Sequence, residues 1–190
     1  VPIRKGGSTM VPFPGETSQY DWKGFVDYDK MPYLLNPDEG IIATANNKTI
    51  PDTFPYYVSG LWHDRSRFDR INELLTNRKG LDVLDMAEIQ NDVTSPFARY
   101  ITPYLLSALS KADLKDDNNK KALSYLSEWN GDFSSQSIGG LIFSITLIKL
   151  LENIYSDEMN LLGDNYYKYW IGPVGASGNW GLPLRNLRGI

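Results

Sequence analysis

Cysteine is missing from these 190 residues, which excludes disulfides and thiolate metal sites but leaves the compartment open, because many secreted chains also lack it. Histidine is nearly missing: His63 is the single one. A Ser-His-Asp triad or a zinc site must use it, yet neither a nucleophile elbow nor an H-E-x-x-H pattern surrounds it. Basic clusters are absent too. Lys and Arg number 19 against 23 Asp and Glu, for a formal charge of −4. Their scatter offers no stripe to a phosphate backbone, which argues against nucleic acid as a partner. The most apolar run, residues 138–151, carries Ser144, Thr146 and Lys149. It is shorter than the ~20 apolar residues that span a bilayer, so it reads as a buried helix, and no membrane is expected as a partner. Gly6-Gly7 and Gly139-Gly140 fit neither a P-loop nor a dinucleotide fingerprint, and no internal repeat recurs. The opening Val1-Pro2-Ile3-Arg4-Lys5 has neither a Met nor the charged-then-apolar order of a signal peptide, and reads as the interior of a longer polypeptide.

What is present is enough apolar residue, 42%, to bury a substantial core in one domain or a large piece of one. Most of the 11 prolines fall in residues 1–62, between short apolar runs, which favours short strands and ordered loops. Met31-Pro32 and Asn36-Pro37-Asp38-Glu39-Gly40 read as turns, and residues 41–45 as a strand. From His63 onward the pattern changes. Phe68, Ile71, Leu74 and Leu75 share one helical face, and Gly80 would end that helix. Asp82 caps the next, which carries Leu84, Ala87 and Ile89 as far as Ser95-Pro96. A third segment runs over 97–110, kinked or split at Pro103. The polar run 115–121 is a solvated connector or a helix start, and Leu123, Leu126 and Trp129 line a further helix. Gly131 and Asp132 break it, and Ser137 leads into a long apolar helix continuing to Ile154, expected as the central buried element. Residues 172–181 are loop-like. The fold class is therefore α+β, mainly helical with short N-terminal strands, divided into a strand and loop-rich segment 1–62 and a helical region 63–190.

Several residues invite chemistry and have a plainer reading beside it. Asp27 with Asp29, or Asp116 with Asp117, resemble an acid and base pair but are more often surface charge. Asp52, Asp64 and Asp69 suggest a metal shell around His63, although aspartates near helix starts usually cap. Trp22, Trp62, Trp129, Trp170 and Trp180 suggest a sugar-binding platform, although dispersed aromatics mostly pack cores and corners. Asn46 and Asn47, at the end of a small-residue run, are either oxyanion donors or turn formers. Arg67, which follows 21 residues after Asn46, and Arg70 are either site residues or surface partners of Asp64, Asp69 or Glu73. No nucleophile accompanies them.

The order of the segments resembles the interior of the β chain of the penicillin acylase (penicillin amidase) family of N-terminal-nucleophile hydrolases. The resemblance is carried by Val1-Pro2-Ile3-Arg4-Lys5-Gly6-Gly7, by Asp21-Trp22-Lys23-Gly24-Phe25, and above all by the N-P-x-x-G-x-I-A-x-x-N-N block over 36–47. It continues through Phe54-Pro55-Tyr56, Leu61-Trp62, Arg67-Phe68-Asp69-Arg70-Ile71, Ile89-Gln90-Asn91-Asp92-Val93 and Trp129-Asn130-Gly131-Asp132, so that it covers roughly residues 1–150. It implies an αββα fold for the parent protein and a serine, exposed by self-cleavage, whose α-amino group is the general base for hydroxyl attack on an amide. Val1 offers no hydroxyl or thiol, and Ser8 follows a segment that lies downstream of that serine in the family, so the nucleophile falls outside this sequence and the isolated chain is expected to be inactive. By the resemblance, Asn46 matches the asparagine that donates to the tetrahedral oxyanion, Arg67 matches the arginine that orients the site, and Asn47 shapes the turn. Ala45 stands where the family often has Trp. The implied partners are the remaining segments of the acylase α and β chains and a small acyl-amide substrate. No cofactor is implied for the chemistry. A structural calcium is allowed in the parent enzyme, with Asp52 an approximate candidate ligand, and export to the periplasm or beyond is implied. The alternative is a non-catalytic, aromatic-rich module that binds glycans or peptides.

Overall fold

The computed structural model describes residues 1–6, 12–60 and 62–163. Gly7, Ser8, Leu61, Trp170, Trp180, the 172–181 loop and the stretch 185–190 lie outside them. The chain forms two compact units, Val1–Arg65 and Ser66–Ile190.

In the first unit, β1 (Pro2–Arg4) pairs antiparallel with β2 (Trp22–Phe25), with Pro2 opposite Phe25 and an irregularity between Ile3 and Arg4. Pro2 cannot donate to a ladder, which suits it to the first position of an edge strand. The Arg4 guanidinium lies over the Trp22 ring, and Trp22 meets Phe25 edge to face. Short 3-10 turns lie at Ser18–Tyr20, before β2, and at Tyr28–Lys30, after it. The strand expected over 41–45 does not form. Strands need a neighbour to take alternate N–H and C=O groups, whereas the Ala45 amide donates to the Asn47 side chain 3.0 Å away, and left-handed residues bracket the run at Gly40 and Asn46.

The second unit is helical. α1 (Ser66–Thr76) ends before Gly80, and α2 (Val83–Gln90) opens on a capping box. There the Asp82 carboxylate accepts from the Leu84 and Asp85 amides while Asp85 accepts from the Asp82 amide, satisfying donors that a helix start leaves open. α3 (Pro96–Leu109) starts on a Ser95 cap with proline in its first turn, where the missing N–H costs nothing. It runs through Pro103 without splitting, although Pro103 has no amide to offer the Arg99 carbonyl. The polar run proves to be a helix start: Asp116 caps α4 (Asp117–Ser127) through the Asn118 amide, 2.7 Å away.

α5 (Ile138–Asn160) begins on a Ser137 cap and outruns the apolar stretch, so that by length and composition alone it suffices to cross a membrane. It is not buried all round as expected. Phe143, Leu147 and Leu151, spaced by one helical turn, face a core completed by Phe97, Ala98, Ile101 and Leu126, while Ile138, Leu141 and Ile145 are exposed. Amphipathic spacing of this kind fixes which stripe turns inward. Trp129 caps the core edge to face against Phe133, with centroids 5.0 Å apart, and tilted against Phe143 at 5.1 Å. Its indole N–H donates to the Asp132 carbonyl at 2.6 Å and to Ser137 Oγ at 3.0 Å. Gly139 lets α5 approach: a Cβ there would lie 2.5 Å from Trp129 Cβ and Cγ. The Gly139-Gly140 pair is thus a packing device.

Candidate active site

The Asn46 turn is held from both sides. Upstream, the Gly40 amide donates to the Pro37 carbonyl at 2.9 Å, with Gly40 at φ 67°. Asn46 itself adopts φ 61°, a region that asparagine tolerates better than most residues. Asn47, only 4% exposed, is the residue that shapes the turn. Its Oδ1 accepts from the Ala45 amide at 3.0 Å and its Nδ2 donates to the Lys48 carbonyl at 3.2 Å. The Asn46 carbonyl accepts from the His63 amide at 2.9 Å. His63 therefore serves this turn through its backbone, with an exposed side chain. Asn46 is the exposed residue between buried Ala45 and buried Asn47. A carboxamide so placed offers a donor whose strength does not change with pH.

Asp52 pairs with Lys48, which holds its carboxyl below the usual range. Among the described residues no group of three or more His, Asp or Glu is placed to hold a metal ion. Three of the other candidate carboxylates have plain roles. Asp27 pairs with Lys30 at 2.6 Å, Asp116 is a helix cap, and Asp117 pairs with Lys120 at 2.9 Å. Of the tryptophans, Trp129 belongs to the helical core, while Trp22 is exposed on β2.

Arg67 lies in the first turn of α1, exposed, in the second unit. With Arg70, one turn further along the same face, it lines a cavity of 620 Å³ whose apolar wall includes Ile71, Leu74, Met86 and Ile89. Arg70 is firmly anchored. It grips Asp92 with two parallel bonds, Nε to Oδ1 at 2.9 Å and Nη2 to Oδ2 at 2.7 Å, and pairs with Glu73 at 2.8 Å. Forked pairing of this type combines charge with directional fit. Asp92 is fixed in turn by the Thr94 amide at 3.1 Å and the Thr94 hydroxyl at 3.4 Å. Hydrogen bonding from Arg70, aided by the Thr94 amide, holds the Asp92 carboxyl below its ordinary range against a partial burial that pushes the other way. Glu73 is lowered by Arg70 first and by Arg99 next, and Asp92 raises the Arg70 guanidinium further. Glu73 was among the partners expected for Arg70. Asp92 was not, because it lies 22 residues away in a segment that sequence alone places only as the end of a helix.

The described residues thus present an α+β chain with a carboxamide turn in the first unit and a helix carrying Arg67 and Arg70 in the second. Residues 1–185 match the family model described as penicillin amidase. The chain belongs to the penicillin amidase family, a family of acyl-amide hydrolases. It is 29% identical over 170 residues, 83% of this chain and 20% of the relative, to an acyl-homoserine lactone acylase QuiP of Pseudomonas syringae pv. tomato. A penicillin acylase 2 proenzyme of a Pseudomonas species is 34% identical over 96 residues, 50% of this chain and 12% of the relative. Penicillin G acylase of Escherichia coli is 25% identical over 178 residues, 86% and 20% respectively. The chain spans about one fifth of the length of the curated relatives it matches over most of its own length.

Proposed function

We propose that this chain is a β-chain segment of a penicillin-acylase-like amidohydrolase with the αββα fold of N-terminal-nucleophile enzymes, and that it contributes Asn46 and Arg67 to a site whose serine nucleophile comes from polypeptide outside these 190 residues. The observation that carries the reading is the left-handed, exposed placement of Asn46 beside a buried Asn47. Asn47 is consumed by the turn, with both its amide oxygen and its amide nitrogen hydrogen-bonded to backbone. Asn46 is held left-handed and exposed beside it. A non-glycine residue kept left-handed by such a turn motivates a functional reading.

In this scheme the serine hydroxyl adds to the substrate carbonyl, its proton passes to the serine's own α-amino group, and Asn46 Nδ2 donates to the oxyanion. Collapse breaks the C–N bond, the amine leaves with that proton, and water then cleaves the acyl ester. Arg67 orients the site with a charge that persists at any working pH. The isolated chain would not hydrolyse amides. The remaining α- and β-chain segments and a small acyl-amide substrate are the partners. Family membership favours this reading over an aromatic binding module.

The test is to purify the product of the native gene, sequence its N-termini, and assay it against phenylacetyl and fatty-acyl amides. Two chains, one beginning with serine, together with a kcat lowered ~10²–10³-fold by Asn46→Gly, are the expected result. A single chain of this size that hydrolyses these amides unimpaired by Asn46→Gly sinks the proposal.

A further inference from the structure

α1 carries Arg67, yet none of its residues is fully buried, and neither is any in α2. α1 packs against α3 through a half-buried apolar face that includes Phe68, Ile71, Leu74 and Leu75, and a polar clamp adds direction to that contact. Arg70, on the same face as Arg67, is held by the forked pair to Asp92 and by Glu73, and only about a sixth to a fifth of the Arg70 and Asp92 side chains is exposed. Asp92 is itself fastened to Thr94, and that segment is tied to the α4–α5 loop. Thr94 forms an antiparallel bridge with Asp132, the Ser95 amide donates to the Gly131 carbonyl at 2.9 Å, and the Phe133 amide donates to the Val93 carbonyl at 3.2 Å. A second strut runs from Glu73 to Arg99, whose Nε reaches the Asn130 carbonyl at 2.8 Å.

We infer that Asp92 is a positioning residue for the reaction: through Arg70 it sets the phase of α1 and thereby the place of Arg67, without touching substrate itself. The inference rests on the reading of Arg67 given above. Small misplacements of a site group cost large factors in rate, so the clamp acts on kcat more than on KM. Asp92→Asn keeps the shape of the side chain and removes the charge that holds the fork.

The experiment uses the product of the native gene, with phenylacetyl and fatty-acyl p-nitroanilides as probes. Wild type, Asp92→Asn, Arg67→Ala and the double variant are compared in kcat, KM and Tm. The expected result is a ~10- to 100-fold fall in kcat for Asp92→Asn with KM within about twofold, partial recovery in Asp92→Glu, and less than about a twofold further loss when Asp92→Asn is added to Arg67→Ala. The Tm change persists in both backgrounds. A fall in kcat that multiplies equally in both backgrounds, or no fall at all, overturns the inference while leaving Arg67 in place. An Arg67→Ala enzyme with unchanged kcat/KM overturns the reading of Arg67, and the inference with it. Should Asp92→Asn fail to fold, Arg70→Lys, which keeps the charge and loses the fork, takes its place in the same cycle.

Discussion

Replacing Gly139 by alanine probes the joint between α5 and Trp129. The added Cβ would sit 2.5 Å from Trp129 Cβ and Cγ and 2.7 Å from Cδ1, about 1 Å inside ordinary carbon contact. The indole cannot swing aside cheaply: two hydrogen bonds hold its N–H, and Phe133 and Phe143 hold its faces. The helix or the ring must shift, at a cost of about 1–3 kcal/mol for overpacking, partly offset by the ~0.5–1 kcal/mol that alanine gains over glycine within a helix. A net loss of about 1–2 kcal/mol corresponds to a Tm lower by roughly 2–8 °C for a chain of this size. The measurement is thermal and urea unfolding followed by tryptophan fluorescence. Gly6→Ala, where nothing lies within 4 Å of the new Cβ, serves as the neutral control. A Gly139→Ala protein as stable as wild type, or more so, would refute the close-approach argument.

Asp92 supplies a pH signature. Its folded carboxyl titrates below the ordinary value, so its contribution to stability is complete above about pH 4 and is lost as pH falls through the lowered value. Asp92→Asn should remove that part of the acid limb, read as the difference in unfolding free energy between pH 6 and pH 2.5, and should cost about 1–3 kcal/mol at neutral pH. Ser137→Ala removes both the α5 cap and a partner of the Trp129 indole, and urea titration should show a loss of about 1–2 kcal/mol. At Asn46, φ 61° makes alanine the worse replacement and glycine the better one by about 0.5–1 kcal/mol. Equal stability of Asn46→Ala and Asn46→Gly in the same titration would argue against the left-handed turn.

Much of the helical unit was legible because its signals are local. Asp82 caps α2 as its position suggested and Ser137 leads into α5, and a cap depends on a side chain and the amides two or three residues on. The apolar spacing that placed Phe68, Ile71 and Leu74 on one face is likewise contained within a helix. The run over 41–45 was misread because its β-compatible residues say nothing about whether a partner strand exists, and strand formation is decided by that partner. At the candidate site, the residue pattern pointed to Asn46 and Arg67, and the resemblance supplied their roles. The resemblance also gave Asn47 the turn, and its bonds to the Ala45 amide and the Lys48 carbonyl agree. Asp92 stayed hidden because an ion pair across 22 residues leaves no periodicity. The one-sided burial of α5 was missed for a related reason: a run rich in apolar residues on every face does not announce which stripe meets the core.

The bond between the Ser95 amide and the Gly131 carbonyl also bears on how the chain folds. It closes about 36 residues that contain all of α3 and α4, and closing a flexible loop of that length costs about 3 kcal/mol of chain entropy. That cost falls once the two helices have paired, since the ends are then already near each other. The stitch should therefore form late, after the α3–α4 hairpin, and the Arg70–Asp92 clamp later still. Amide exchange would show it as a graded sequence: slow protection in the α3–α4–α5 core, and faster, sub-global opening of α1 and α2, two helices that hold no fully buried side chain.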